Sequence, residues 1–87
     1  MSAAEVIANY QTLANLTARM RETALRGDWD ALVVMEQERG RVIAATKPLD
    51  ATTELDDSAR LQKNRLISGI LAQDDEIRAA AQAWMAE

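Results

Sequence analysis

Ala24-Leu25-Arg26-Gly27-Asp28-Trp29-Asp30 joins two amphipathic patterns with almost no loop between them. Leu25 and Arg26 suit the last turn of a helix, Gly27 the left-handed position just past it, and Asp28 the cap of the next helix. Trp29 then opens the following apolar face. The chain therefore folds back on itself here as a tight helical hairpin, and the rest of the architecture is read outward from this corner.

Upstream of the corner the pattern predicts a helix over 3–26. Ser2 and Glu5 fit a capping box, in which the hydroxyl takes a backbone N–H and the carboxylate reaches back to the cap. Val6, Tyr10, Leu13, Thr17, Met20 and Ala24 recur at spacings of four and three, a stripe on one face, with Ile7, Ala14 and Leu25 beside it. Downstream, a second helix is predicted over about 29–45, with Trp29, Leu32, Val33, Glu36, Gly40 and Ile43 on its inner face. Gly40 in a helix interior costs roughly 1 kcal/mol relative to alanine, so it is read as a place where another helix comes close. Glu36 on an apolar face needs a cation, with Arg39, Lys63 and Arg65 as candidates.

Pro48 disfavours helical geometry at Lys47, which ends helix 2 and leaves a linker over 46–50. Thr52 or Thr53, followed by Asp56 or Asp57, starts a third helix over about 53–86. Its stripe is Leu55, Ala59, Gln62, Leu66, Ile70, Gln73, Ile77, Ala81 and Trp84, and Gly69 is a point where it can bend. Short connections make sequential helices antiparallel. The expected fold is all-α: one domain over 1–87, an antiparallel three-helix up-down-up bundle with a long third helix. The end of that helix, near Trp84, overhangs the hairpin or packs over its edge.

Composition agrees and narrows the function. The 87 residues are rich in helix formers, contain three glycines and one proline, and carry only Tyr10, Trp29 and Trp84 as aromatics. A formal charge of −4 without any basic run disfavours nonspecific binding to nucleic acid or anionic lipid. The absence of cysteine removes disulfides, thiol catalysis and thiolate metal sites. The absence of histidine removes the commonest general base and transition-metal ligand. No stretch has the length of a bilayer span and the N-terminus lacks a signal-peptide pattern, so a cytoplasmic protein is expected.

Chemistry is hard to find in what remains. Asp56-Asp57 and Asp74-Asp75-Glu76 lack the spacing of a calcium loop and read as solvated helical faces. Glu-x-x-His pairs for a di-iron site and a glycine-rich phosphate loop are both missing, so no metal or cofactor is called for. Small three-helix chorismate mutases need neither histidine nor cysteine, and Arg19, Arg39, Arg65 and Gln73 are available for such a site. That reading requires several arginines to converge on one buried pocket. The expectation is a protein that is not an enzyme.

Once the inner stripes are assigned, Ala31, Met35 and Val42 remain on one flank of helix 2, and Ile67, Leu71 and Met85 on one flank of helix 3. They are either shoulders of a wide core face or a groove that receives an apolar helix from a partner. In the second reading Met35, Val42, Ile67 and Leu71 are the partner contacts.

The residues Tyr10 and Leu13, then Gly27-Asp28-Trp29-Asp30, then Leu32 to Glu36, followed by Arg65-Leu66-Ile67, Ile70-Leu71 and Asp74-Asp75-Glu76-Ile77, resemble the FliT family of flagellar export chaperones over almost the whole chain. The Gly-Asp-Trp-Asp corner and its downstream glutamate are the distinctive part. The resemblance implies a cytoplasmic chaperone that binds the C-terminal segment of the filament-cap protein FliD and delivers it to the type III export apparatus. It also implies contacts with the export ATPase and the export gate and, in some lineages, with a transcriptional regulator. Longer relatives carry a further C-terminal helix over the substrate site. A sequence stopping at Glu87 implies an uncovered groove and self-association of two copies. The competing account is a generic helical interaction adaptor or regulator with the same fold and another partner.

Overall fold

Ser2 caps the first helix as its sequence suggests, its hydroxyl accepting the Glu5 N–H at 3.3 Å. In this computed structural model, which describes residues 2–86, α1 runs Ala3–Arg26, α2 Trp29–Thr52 and α3 Asp57–Met85. Met1 and Glu87, the ends of the expected 1–87 domain, lie outside the described residues. At the corner Gly27 sits at φ 75°, in the left-handed region. Its N–H reaches the Ala24 carbonyl and the Asp28 N–H reaches the Thr23 carbonyl, the paired bonds of a Schellman motif. The Asp28 carboxylate then accepts from Ala31, and the chain reverses in two residues.

The three helices form an up-down-up bundle built around α1. Val6, Leu13, Leu16, Thr17, Met20, Thr23 and Ala24 of α1 are buried, against only Leu32 and Thr46 of α2 and none of α3. The buried threonines are tolerated because their hydroxyls bond back up the helix: Thr17 to the Leu13 carbonyl at 2.7 Å and Thr23 to that of Arg19 at 2.8 Å. Both α2 and α3 pack on α1, yet among the described residues no Cα of α2 comes within 8 Å of a Cα of α3. The result is a slab of 47 × 21 × 15 Å with a furrow along one side.

Helix 2 corrects the sequence reading twice. It does not end near Ala45 but continues through Pro48 to Thr52, so there is no linker at 46–50. Pro48 has no N–H for the Ala44 carbonyl, and both Ala44 and Pro48 lie on an exposed part of the helix. Asp50, held by Tyr10 and Lys63, secures the turn beyond the proline. The connection falls instead at 53–56, and Asp56, accepting from Ala59 at 2.8 Å, is the cap that starts α3.

The second correction is rotational. The line that α2 turns toward α1 is Leu32, Met35, Arg39, Val42, Thr46 and Leu49, all buried or half-buried. Val33, Glu36, Gly40 and Ile43 are exposed. A β-carbon on Gly40 would meet nothing within 4 Å, so no helix of this chain uses the space. Glu36 does pair with Arg39, at 2.9 Å, but in solvent rather than in the core. Helix 3 runs unbroken through Gly69.

Candidate partner-docking furrow

The furrow between α2 and α3 is crossed by side chains at three levels. At the corner end the rings of Trp29 and Trp84 lie 5.0 Å apart at 45°, so the end of α3 closes over the edge of the hairpin. Half-way along, the Arg39 guanidinium bonds Asp74 of α3, Glu36 of its own helix and the Thr17 hydroxyl below. At the far end Asp50 takes the Lys63 ammonium at 2.7 Å and the Tyr10 hydroxyl at 2.7 Å. Asp74, expected in a solvated acidic face, is thus a structural partner. Its neighbour Glu76 pairs with Arg21 of α1, and Asp75 with Arg78.

The walls follow from these anchors. On α2, Trp29, Leu32, Glu36, Gly40, Ile43, Lys47 and Asp50 follow helical spacing, and the stripe begins and ends in residues that touch α3. The stripe read from the sequence as core is therefore largely the furrow wall. On α3 the matching stripe is Lys63, Ile67, Leu71, Asp74, Arg78, Ala81 and Met85, in which Lys63 and Asp74 reach α2. Near the corner, Trp29, Leu32, Val33, Ala81, Trp84 and Met85 enclose an apolar cleft of about 350 Å³, with Glu36 and Gln37 at its rim. Such a surface is costly to leave in water and suits an apolar partner.

The far end is electrostatically tuned. The hydrogen bond from Lys63, and then that from Tyr10, hold the Asp50 carboxyl below the usual carboxylate range against the opposing effect of burial. Burial first, then the bond to Asp50 and its charge, push the Tyr10 phenol up to about 12. Asp50 therefore stabilises the fold above its unfolded pKa, and that contribution is lost as pH falls through its lowered folded value. Tyr10 stabilises below about pH 10, its unfolded value, with loss as pH rises through about 12. Melting curves against pH are expected to fall at both extremes. Asp50→Asn should shrink the acid branch, at a cost of about 1–2 kcal/mol near neutrality because Lys63 loses its partner. An acid branch unchanged in that variant would refute the assignment.

The mutase reading fails its own requirement. Arg19 and Arg65 are exposed and Arg39 is bound by carboxylates, leaving no buried cluster of free cations among them. Among the described residues no three acidic side chains gather as a metal site, and no helix is long and apolar enough to cross a membrane.

A family model described as flagellar protein FliT matches residues 7–87. The chain belongs to the FliT family. Its fold is similar to the crystal structure of flagellar protein FliT from Bordetella bronchiseptica, with a TM-score of 0.87 and 33% sequence identity over 93% of this chain and 91% of that one. Comparison with the curated proteins finds no match.

In this FliT fold the four contact residues expected from the sequence are not on one surface. Leu71 is 59% exposed on the furrow wall of α3, and Ile67 is half-buried one turn away. Met35 instead packs against the cluster of Leu16, Met20, Ala24 and Leu32, and its sulfur lies 3.5 Å from the Thr23 hydroxyl oxygen. Val42 is half-buried on the same line. They are thus inner-face residues, not a free flank. Besides Val34, α2 exposes Val33 and Ile43, both read as core. Gly40 lies between them. Because its Cβ position is open, Gly40→Ala is expected to raise stability by about 0.5–1 kcal/mol, measured by thermal melting. A loss of stability would show a constraint at Gly40 that the free chain does not display.

Proposed function

We propose that this FliT-family protein is a flagellar type III export chaperone that binds the C-terminal segment of the filament-cap protein FliD in the cytoplasm and delivers it to the export apparatus. The observation that carries the reading is the open apolar furrow between α2 and α3 in a chain of a flagellar family. A segment destined for export exposes an apolar stripe that would otherwise aggregate, and a groove able to seat one helix keeps it soluble. Release at the export machinery requires a modest, reversible interface, which a furrow of this size with a charged rim supplies.

Ile67 and Leu71 form the α3 side of the contact. On α2, Met35 and Val42 support the wall from the inner face, and Val33 and Ile43 present its surface. The export ATPase and export gate are further partners under this proposal. Two copies of the chain would compete with substrate for the same furrow.

The test is calorimetry with the C-terminal segment of the same organism's cap protein. A one-to-one complex is expected. No binding by a chain shown to be folded by circular dichroism rejects the chaperone reading and leaves a helical interaction adaptor as the account of the fold.

A further inference from the structure

The furrow is not uniformly apolar. Its corner end is walled by Val33, Trp84 and Met85. By helical register Ile43 of α2 and Ile67 and Leu71 of α3 continue the two facing stripes toward the far end. Between the two halves lies the belt of Glu36, Arg39 and Asp74. The charges of this belt are not equally available. Arg39 is sunk into the slab, its side chain 15% exposed, and both terminal nitrogens already carry bonds to Asp74, Thr17 and Glu36. Glu36 is 55% exposed and bonds through only one carboxylate oxygen. Asp74 likewise bonds through one oxygen among the described contacts. Arg78 also borders this part of the furrow, 66% exposed, and its charge is offset by Asp75, which it bonds through one nitrogen, so the belt with this pair keeps an excess of one negative charge. What a visitor meets at mid-furrow is therefore a hydrogen-bond acceptor of negative sign.

We propose that the occupant of the furrow is an amphipathic helix carrying a lysine or arginine between two apolar anchor clusters, and that the cation is recognised by Glu36 with Asp74 behind it. The proposal rests on the furrow being the docking site of the chaperone reading. It adds a selection rule for what is docked.

Spacing and room agree. Val33 and Ile43 are ten residues apart on α2, about 15 Å at helical rise, so the two apolar clusters of the ligand helix stand about three turns apart. Gly40, one turn from Glu36, presents no side chain and has nothing within 4 Å of its missing β-carbon. The ligand backbone can come close there, which places a long basic side chain within reach of the Glu36 carboxylate. An apolar side chain at that level would strip water from two carboxylates and give nothing back, and an acidic one would add repulsion. The belt thus discriminates by rejecting the wrong centre as well as by attracting the right one.

The experiment uses three capped helical peptides that share two leucine clusters about three turns apart and differ only at the central residue: lysine, glutamine or glutamate. Each is titrated into the whole protein, with tryptophan fluorescence as the readout. The lysine peptide is expected to bind about tenfold tighter than the glutamate peptide, a difference that shrinks with added salt. In Glu36→Gln the preference should fall to about threefold or less, and in Glu36→Lys it should reverse. Glu36 is exposed, so circular dichroism of Glu36→Gln should match the wild type.

Equal affinity for all three peptides, a preference unchanged by Glu36→Gln, or no binding of any of them overturns the proposal. The cap-protein titration is read separately. If that segment fails to bind while the peptides show the Glu36-dependent preference, the chaperone assignment falls and the furrow's selectivity stands.

Discussion

Trp29→Ala is expected to destabilise the protein by about 3–5 kcal/mol, a large part of what a domain of this length possesses. Trp29 packs against the buried cluster of Leu16, Met20, Ala24 and Leu32, and it is also the surface on which Trp84 rests. Its removal opens a cavity beside the core and detaches the last turns of α3 in the same step. At about 4–8 °C of melting temperature per kcal/mol, a loss of about 12 °C or more should follow. Trp29→Phe separates packing from polarity. The indole N–H is buried without an acceptor, below the bare face of Gly27, so replacing it with a ring lacking that donor forfeits packing area but relieves an unpaired polar group. The phenylalanine variant should therefore recover most of the loss. A phenylalanine variant as unstable as the alanine one would mean that the indole N–H has a partner the geometry does not show.

Leu71→Asp is expected to weaken binding of the cap-protein segment on the order of 100-fold while leaving helicity and melting temperature nearly unchanged. Leu71 is 59% exposed on the furrow wall and supports nothing in the core, so the isolated protein should tolerate a carboxylate there. In a complex that carboxylate would be buried against an apolar surface without a cation. Calorimetry and circular dichroism on the same sample decide the matter. Met35→Asp provides the contrast: Met35 sits against the core, and its substitution should unfold the chain rather than merely block binding. If Leu71→Asp unfolds the protein instead, Leu71 is core and the furrow is not where substrate sits.

The rotation of α2 marks the limit of what could be read from residues alone. Its apolar side chains are spread around the helix, so two faces compete for the interior. Following the stripe that Trp29 opens put Val33, Glu36, Gly40 and Ile43 inside. The face that is inside carries Arg39 and Thr46, which composition argues against burying. Both are tolerated because each finds partners: the Thr46 hydroxyl bonds the Val42 carbonyl at 2.7 Å, and Arg39 bonds Asp74 across the furrow. Asp74 is thirty-five residues away in sequence, and nothing local announces the pairing. Pro48 is the same lesson in the backbone. Its local preference to end a helix is real, but Asp50, gripped by Tyr10 and Lys63, outweighs it.

The sequence by itself determined the elements whose causes are local. These are the Ser2 cap, the Gly27 reversal with its Asp28 cap, the span of α1 with its stripe, the up-down-up order and the family. In each case the deciding interaction joins residues within a few positions of one another, so it is written in the spacing. The tertiary structure decided which side of α2 faces α1, how far α2 runs past Pro48, and that α2 and α3 stand apart with a furrow between them. Those outcomes depend on contacts between residues distant in the chain, each balanced against a local preference of similar size. The furrow itself arises because α1 contributes most of the core and holds both neighbours, leaving their facing sides without a helix to cover them.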